Sequence, residues 1–71
     1  MTNEELKIAL QTRRPVIAKL PAMGEIEYAY VSAIIYRRDD KGKIYITAEI
    51  MDRCLHSVTV IHPEAIRFKE G

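Results

Sequence analysis

Cys54, His56 and His62 come nearest to reactive chemistry in type and spacing. Cys-x-His, followed six residues later by a second His, offers three soft donors around one loop. A structural zinc wants four such ligands, and a catalytic zinc needs carboxylates behind its ligands to orient them. With one cysteine in the chain, the set does not close. A Cys54 nucleophile with His56 as its base would also need an oxyanion hole and a cleft, for which 71 residues leave little room. The expectation is a thiol half-buried in a loop, with two surface imidazoles after it, and no catalytic residue, metal or cofactor. No Gly-rich phosphate loop, paired catalytic carboxylates or Ser-His-Asp spacing occurs, and Asp39-Asp40 reads as turn chemistry.

Recognition chemistry is better represented. Tyr28, Tyr30, Tyr36 and Tyr45 are four of the five aromatic residues. A tyrosine packs in a core when its hydroxyl reaches the rim, or stands on a surface and stacks on a partner beside arginine. Tyr28, Tyr30, Arg37, Arg38 and Tyr45 make up the candidate contact surface for an unknown protein partner. Arg37, Arg38, Lys41 and Lys43 cluster at a turn diluted by Asp39 and Asp40, and such runs are most often solvated. Joined by Arg13 and Arg14, they form the alternative: a basic patch for nucleic acid, whose binding would weaken with salt through counterion release. Against it, eleven Lys+Arg and ten Asp+Glu leave a formal charge of only +1, without the basic excess usual in nucleic-acid binders.

The bulk properties bound what positions these residues. A chain of this length forms one domain, residues 1–71, and buries only about 60% of its unfolded surface. Hydrophobic content of 48% is ordinary for a globular protein. Apolar runs such as Tyr28-Ala29-Tyr30-Val31 fall far short of the ~20 residues of a membrane span. The acidic start, Met1-Thr2-Asn3-Glu4-Glu5, is unlike a signal peptide. These features point to a soluble cytoplasmic protein without membrane contact.

Thr2-Asn3-Glu4-Glu5 has the form of a capping box and opens a helix over about residues 2–13. Leu6, Ala9 and Leu10 give it one narrow apolar stripe, and Pro15 ends it. So short a helix must dock, across an open end of the β structure. Pro15 to Leu20 reads as a first strand, with Val16, Ala18 and Leu20 on one face; its flanking prolines suggest a sheet edge, and hence a site for homo-oligomer formation. Ile26 to Arg38 is a very long strand, which calls for a bulge or a bend between two sheets. Lys43 to Met51 alternates cleanly, and Val58 and Val60 are read as inward by analogy. His62-Pro63-Glu64-Ala65-Ile66 looks like one helical turn before a closing strand, Arg67-Phe68-Lys69.

The long hairpin fixes which way the tyrosines point. With Gly42 left-handed in a three-residue turn, cross-strand partners sum to 82: Arg37 faces Tyr45, Ile35 faces Thr47 and Ala33 faces Glu49 on a polar side. Tyr36, Ile34 and Ser32 then face Ile46, Ala48 and Ile50 on the apolar side. A four-residue turn would instead put Val31, Ala33 and Ile35 in the core and expose Tyr36. A bulge near Val31-Ser32 would turn Tyr28 and Tyr30 to solvent. The turn chemistry favours the first register.

A helix, about five strands with one long hairpin around Gly42, the Ile44-to-Ile50 strand, and a proline turn within Ser57-Val58-Thr59-Val60-Ile61-His62-Pro63-Glu64-Ala65-Ile66-Arg67-Phe68 together resemble a small SH3-like barrel. The resemblance covers Pro15 to Lys69 and implies a mainly β fold with an N-terminal helical addition. The segment Tyr28-to-Asp52 with His56-Ser57-Val58 is also similar to small uncharacterised proteins of conjugative elements in gut Firmicutes, which implies a mobile-element setting and no particular activity. There is no Trp and no acidic loop of the kind that grips Pro-rich ligands. The expected function is a non-enzymatic binding or assembly module.

Overall fold

The chain is described by a computed structural model over residues 1–70. Thr2 caps helix α1 (Asn3–Thr12): its hydroxyl accepts from the Glu5 N–H (3.2 Å), and the Glu5 carboxylate accepts from the Thr2 N–H (2.9 Å). Those bonds hold the Glu5 carboxyl below its usual range. Arg13 ends the helix in the left-handed region, φ 55°, donating its N–H to the Ala9 carbonyl. Leu6 and Ala9 are wholly buried, whereas Leu10, expected on the same stripe, is 37% exposed. The helix packs against the strand Tyr30–Arg38 and buries only Leu6 and Ala9.

Six strands follow: β1 (Val16–Leu20), β2 (Gly24–Tyr28), β3 (Tyr30–Arg38), β4 (Ile44–Met51), β5 (Val58–Ile61) and β6 (Ile66–Phe68), with a 3-10 turn at Pro63–Ala65 before the last. They form two three-stranded antiparallel sheets, ordered β2-β1-β6 and β3-β4-β5. This is the small, mainly β domain with a short N-terminal helix implied by the sequence. It has six strands rather than about five, in two sheets that do not close into the expected barrel. The long strand divides at Ala29, whose N–H donates to the Met51 carbonyl (2.8 Å). β2 therefore serves one sheet and β3 the other. The core between the sheets and under the helix is Leu6, Ala9, Val16, Ala18, Tyr28, Val31, Ala48, Ile50 and Ile66.

The hairpin turn is the three-residue type. Asp39 N–H donates to the Lys43 carbonyl, Gly42 N–H donates to the Asp39 carbonyl, and Gly42 sits at φ +81°. A side chain would be strained there. Partners sum to 82 from Arg38↔Ile44 to Ala33↔Glu49. A bulge between Val31 and Ala33 then shifts the register, so Val31, not Ser32, lies opposite Ile50 and enters the core. Ser32 is instead turned to Glu49, donating to its carboxylate (2.8 Å).

Three expectations are corrected. β1 is the central strand of its sheet rather than an edge. Pro15 precedes the first strand residue and accepts from the Lys69 N–H at its carbonyl (3.1 Å), and Pro21 lies in the turn, so neither removes a ladder donor. Tyr36 has the expected partner, Ile46, yet is 61% exposed because the hairpin runs on past the core. Val58 and Val60 point outward, at 45% and 49% exposure. The Asp52 loop sets their parity: Asp52 N–H donates to the Ser57 carbonyl, placing Ile50 opposite Thr59 and Ala48 opposite Ile61. Thr59 and Ile61 thus share the inward face of Ile50 and Ala48.

Candidate interaction surface

The outer faces of the two sheets differ in chemistry. On β2-β1-β6, strand alternation turns Lys19, Glu25, Glu27 and Arg67 outward around Ile17. Arg67 donates to Glu25 (2.8 Å), and Lys69 pairs with Glu27 (2.9 Å), with Arg53 at 3.9 Å from the same carboxylate. The hydrogen bond from Lys69 holds the Glu27 carboxyl below its usual range. Such exposed pairs contribute little stability, but they make the face hydrophilic. A depression of about 360 Å³ lies here, lined by the apolar Ile17, Ala65 and Ile66 and rimmed by charges of both signs from Lys19, Glu25, Glu64 and Arg67.

On β3-β4-β5 the corresponding face is largely apolar. Ile35 lies beside Thr47, Ala33 beside Glu49, Glu49 beside Val60, and Met51 beside Val58. Tyr45, Val58 and Val60 are each 40–49% exposed. Glu49, the carboxylate of this stretch, is held by the Ser32 hydroxyl. Thr47 sits at the centre, 6% exposed, with a hydroxyl that has no hydrogen-bond partner.

The candidate contact residues distribute unevenly over this architecture. Tyr45 and Arg37 face each other on the apolar outer face. Tyr30 is half-buried at the far end of β3, with the Arg13 guanidinium 5.2 Å from its ring centroid. Tyr28, expected at the contact surface, is 8% exposed and belongs to the core. Its place opposite Val16 on the inner face of β2 keeps it there, because the bulge falls after it, at Ser32. Arg38 lies opposite Ile44 on the other side of the ribbon, and its side chain runs over Gly42.

The basic patch divides in two. Arg37, Arg38, Lys41 and Lys43 remain together and exposed at the hairpin tip, where Asp39 Oδ1 accepts from the Lys41 and Lys43 N–H groups. Arg13 is at the opposite end of β3, against Tyr30, seven residues or about 23 Å along the strand from Arg37. Arg14 stacks on Phe68 at 4.2 Å. They do not adjoin the tip.

Cys54 and His56 are exposed in the loop after β4, and His62 is exposed before the 3-10 turn. Among the described residues, no group of three His, Cys, Asp or Glu side chains converges. That loop is organised by Asp52, whose carboxylate accepts from the His56 N–H (2.9 Å) and the Ser57 hydroxyl (2.8 Å). These bonds, the His56 N–H foremost, lower the Asp52 carboxyl from its ordinary range.

Sequence reasoning missed Val58 and Val60 as surface residues, because apolar character was equated with burial, whereas Ile35 lies opposite Thr47 on the outer side as its register required. The usable signal was the parity of the loop joining β4 to β5. No helix among the described residues is long and apolar enough to cross a membrane. No family model matches the chain, and comparison with curated proteins and with solved structures finds no match.

Proposed function

We propose that this chain is a non-enzymatic binding or assembly module that docks a protein partner on the outer face of β3-β4-β5. The observation carrying this reading is the contrast between the two sheets: one outer face is laced with cross-strand ion pairs, the other presents Tyr45, Val58 and Val60 to solvent beside a half-buried Ile35. A small domain gains nothing from leaving an apolar face wet, and such faces mark interaction sites. Tyr45 supplies a rigid aromatic anchor beside the Arg37 cation, the residue types enriched at the energetic centre of protein interfaces. The test compares partner capture from host-cell extract by the wild-type chain, by Ile35→Lys with Tyr45→Glu, and by Lys19→Glu on the opposite sheet. Capture lost only in the double variant supports the reading; equal capture by all three refutes it.

The alternative, binding of nucleic acid, rests on Arg37, Arg38, Lys41 and Lys43, none of which is in an ion pair among the described residues. Four phosphate contacts would make log K fall with log salt at a slope of roughly −3 to −4. No binding of DNA or RNA at low salt dismisses it.

A further inference from the structure

Two sheets that do not close into a continuous barrel leave four edges: β2, β6, β3 and β5. Exposed edges recruit other strands unless something blunts them. β2 carries Glu25 and Glu27, both in ion pairs. β6 has only three residues, and the Met1 nitrogen donates to the Ile66 carbonyl (3.1 Å). β3 carries the Ser32 bulge and ends in Arg37-Arg38. β5 reads Val58-Thr59-Val60-Ile61, with no charge, proline or bulge.

The hydrogen bonding of β5 is self-complementary. Because Asp52 N–H donates to the Ser57 carbonyl, alternation directs the backbone groups of Ser57, Thr59 and Ile61 to β4. Those of Val58 and Val60 therefore point to the open edge. Placed antiparallel to a second β5 about a two-fold axis at Thr59, Val58 faces Val60 of the second copy and Val60 faces its Val58. Both pairs then exchange both of their N–H···O bonds. Facing residues share a side of the sheet, so the four valines form one apolar cluster on the outer face. A shift by one residue would oppose an inward side chain to an outward one.

We infer that the partner of this edge is a second copy of the chain, joined through β5 into a six-stranded sheet ordered β3-β4-β5-β5-β4-β3. The inference rests on the interaction-face reading and extends it: the second copy occupies the β5 edge of that sheet and leaves its outer face open. Its geometry joins two copies of the apolar surface side by side, so the assembly docks further partners bivalently. The contact is smaller than the roughly 1,000 Å² of a stable interface, so monomer and dimer exchange.

Sedimentation equilibrium of the full chain tests this, together with amide hydrogen exchange at low and high protein concentration. The expected result is reversible dimer formation in which the Val58 and Val60 amides become slower to exchange as concentration rises. Val60→Pro deletes an N–H that points to the open edge and is not used by β4. It raises the dimer dissociation constant by ~10- to 100-fold with unchanged circular dichroism. If that variant fails to fold, Val58→Lys, at an exposed position, gives the same readout. Ile35→Lys, on the same face but two strands inward, leaves dimerisation intact. A chain that stays monomeric at its highest attainable concentration overturns the inference. So does a dimer whose Val58 and Val60 amides exchange at a concentration-independent rate, or one that Ile35→Lys disrupts as strongly as Val60→Pro. Partner capture by the face is scored separately, so either proposal can fail alone.

Discussion

Replacing Thr47 by Val isolates the energetic oddity at the centre of the apolar face. Thr47 is 6% exposed and its hydroxyl oxygen has no partner, so folding strips a polar group of water without replacing the bond. An unsatisfied buried hydroxyl costs about 1–3 kcal/mol. Valine has the same shape and the same β-branched preference for a strand, so Thr47→Val removes the cost without opening a cavity. We expect stabilisation near the lower end, about 1 kcal/mol, because a hydroxyl at a sheet surface still reaches water transiently. In a domain of this size that raises Tm by ~4–8 °C. Urea unfolding at fixed protein concentration measures it: the midpoint should rise while the slope stays constant. Thr47→Ser is the control, since it keeps the orphan oxygen and loses a buried methyl, and should be destabilised by ~1 kcal/mol. A Thr47→Val midpoint at or below wild type would mean that the hydroxyl is satisfied in solution, and the reasoning fails.

Leu55 is held at φ 60° while 59% exposed, so Leu55→Gly should relieve left-handed strain at little loss of burial, adding about 1 kcal/mol in the same urea assay. Gly42→Ala meets the opposite condition: at φ +81°, with its new methyl 3.5 Å from Arg38, it should lose about 1 kcal/mol and lower the midpoint. Glu5, Glu27 and Asp52 all have carboxyls depressed in the folded state. Their stabilisation is present above the unfolded carboxyl range near pH ~4 and is lost as pH falls through the lower folded values. Thermal midpoints should therefore be insensitive to these three groups at neutral pH and fall in acid, less steeply in Asp52→Asn. An NMR titration that places the Asp52 carboxyl at or above its ordinary value would contradict the loop geometry.

Much of the architecture was legible because it rests on local chemistry. Thr2-x-x-Glu5 caps the helix as its spacing requires, and Asp39-Asp40-Lys41-Gly42 selects a turn that fixes the register out to Ala33↔Glu49. Excess length in one strand correctly implied that it serves two sheets. What failed was non-local. The prolines around Pro15 to Leu20 suggested an edge, but β1 lies between β2 and β6, a fact that only the return of the chain's far end establishes. In Val58-Thr59-Val60-Ile61 both faces carry β-branched residues, so polarity could not choose the inward one. The loop hydrogen bond from Asp52 to Ser57 chose it. Tyr28 was misassigned for a related reason: a bulge reverses faces only on one side of itself, and Tyr28 lies before it.

The hairpin tip beyond Ile34 and Ile46 is a cantilever. Tyr36 and Ile44 protrude there at 61% and 65% exposure, and the core residues stop short of them. Because the tip supports nothing behind it, its length is free to vary without repacking the domain. A peptide inserted between Asp40 and Lys41, with Asp39 and Gly42 kept, would be carried clear of the body at the end of this two-stranded arm. The same arm gives a partner gripping Arg37 and Lys43 a long lever on the sheet below, so tension applied at the turn would be borne first by the β3–β4 ladder and only then by the helix and the second sheet.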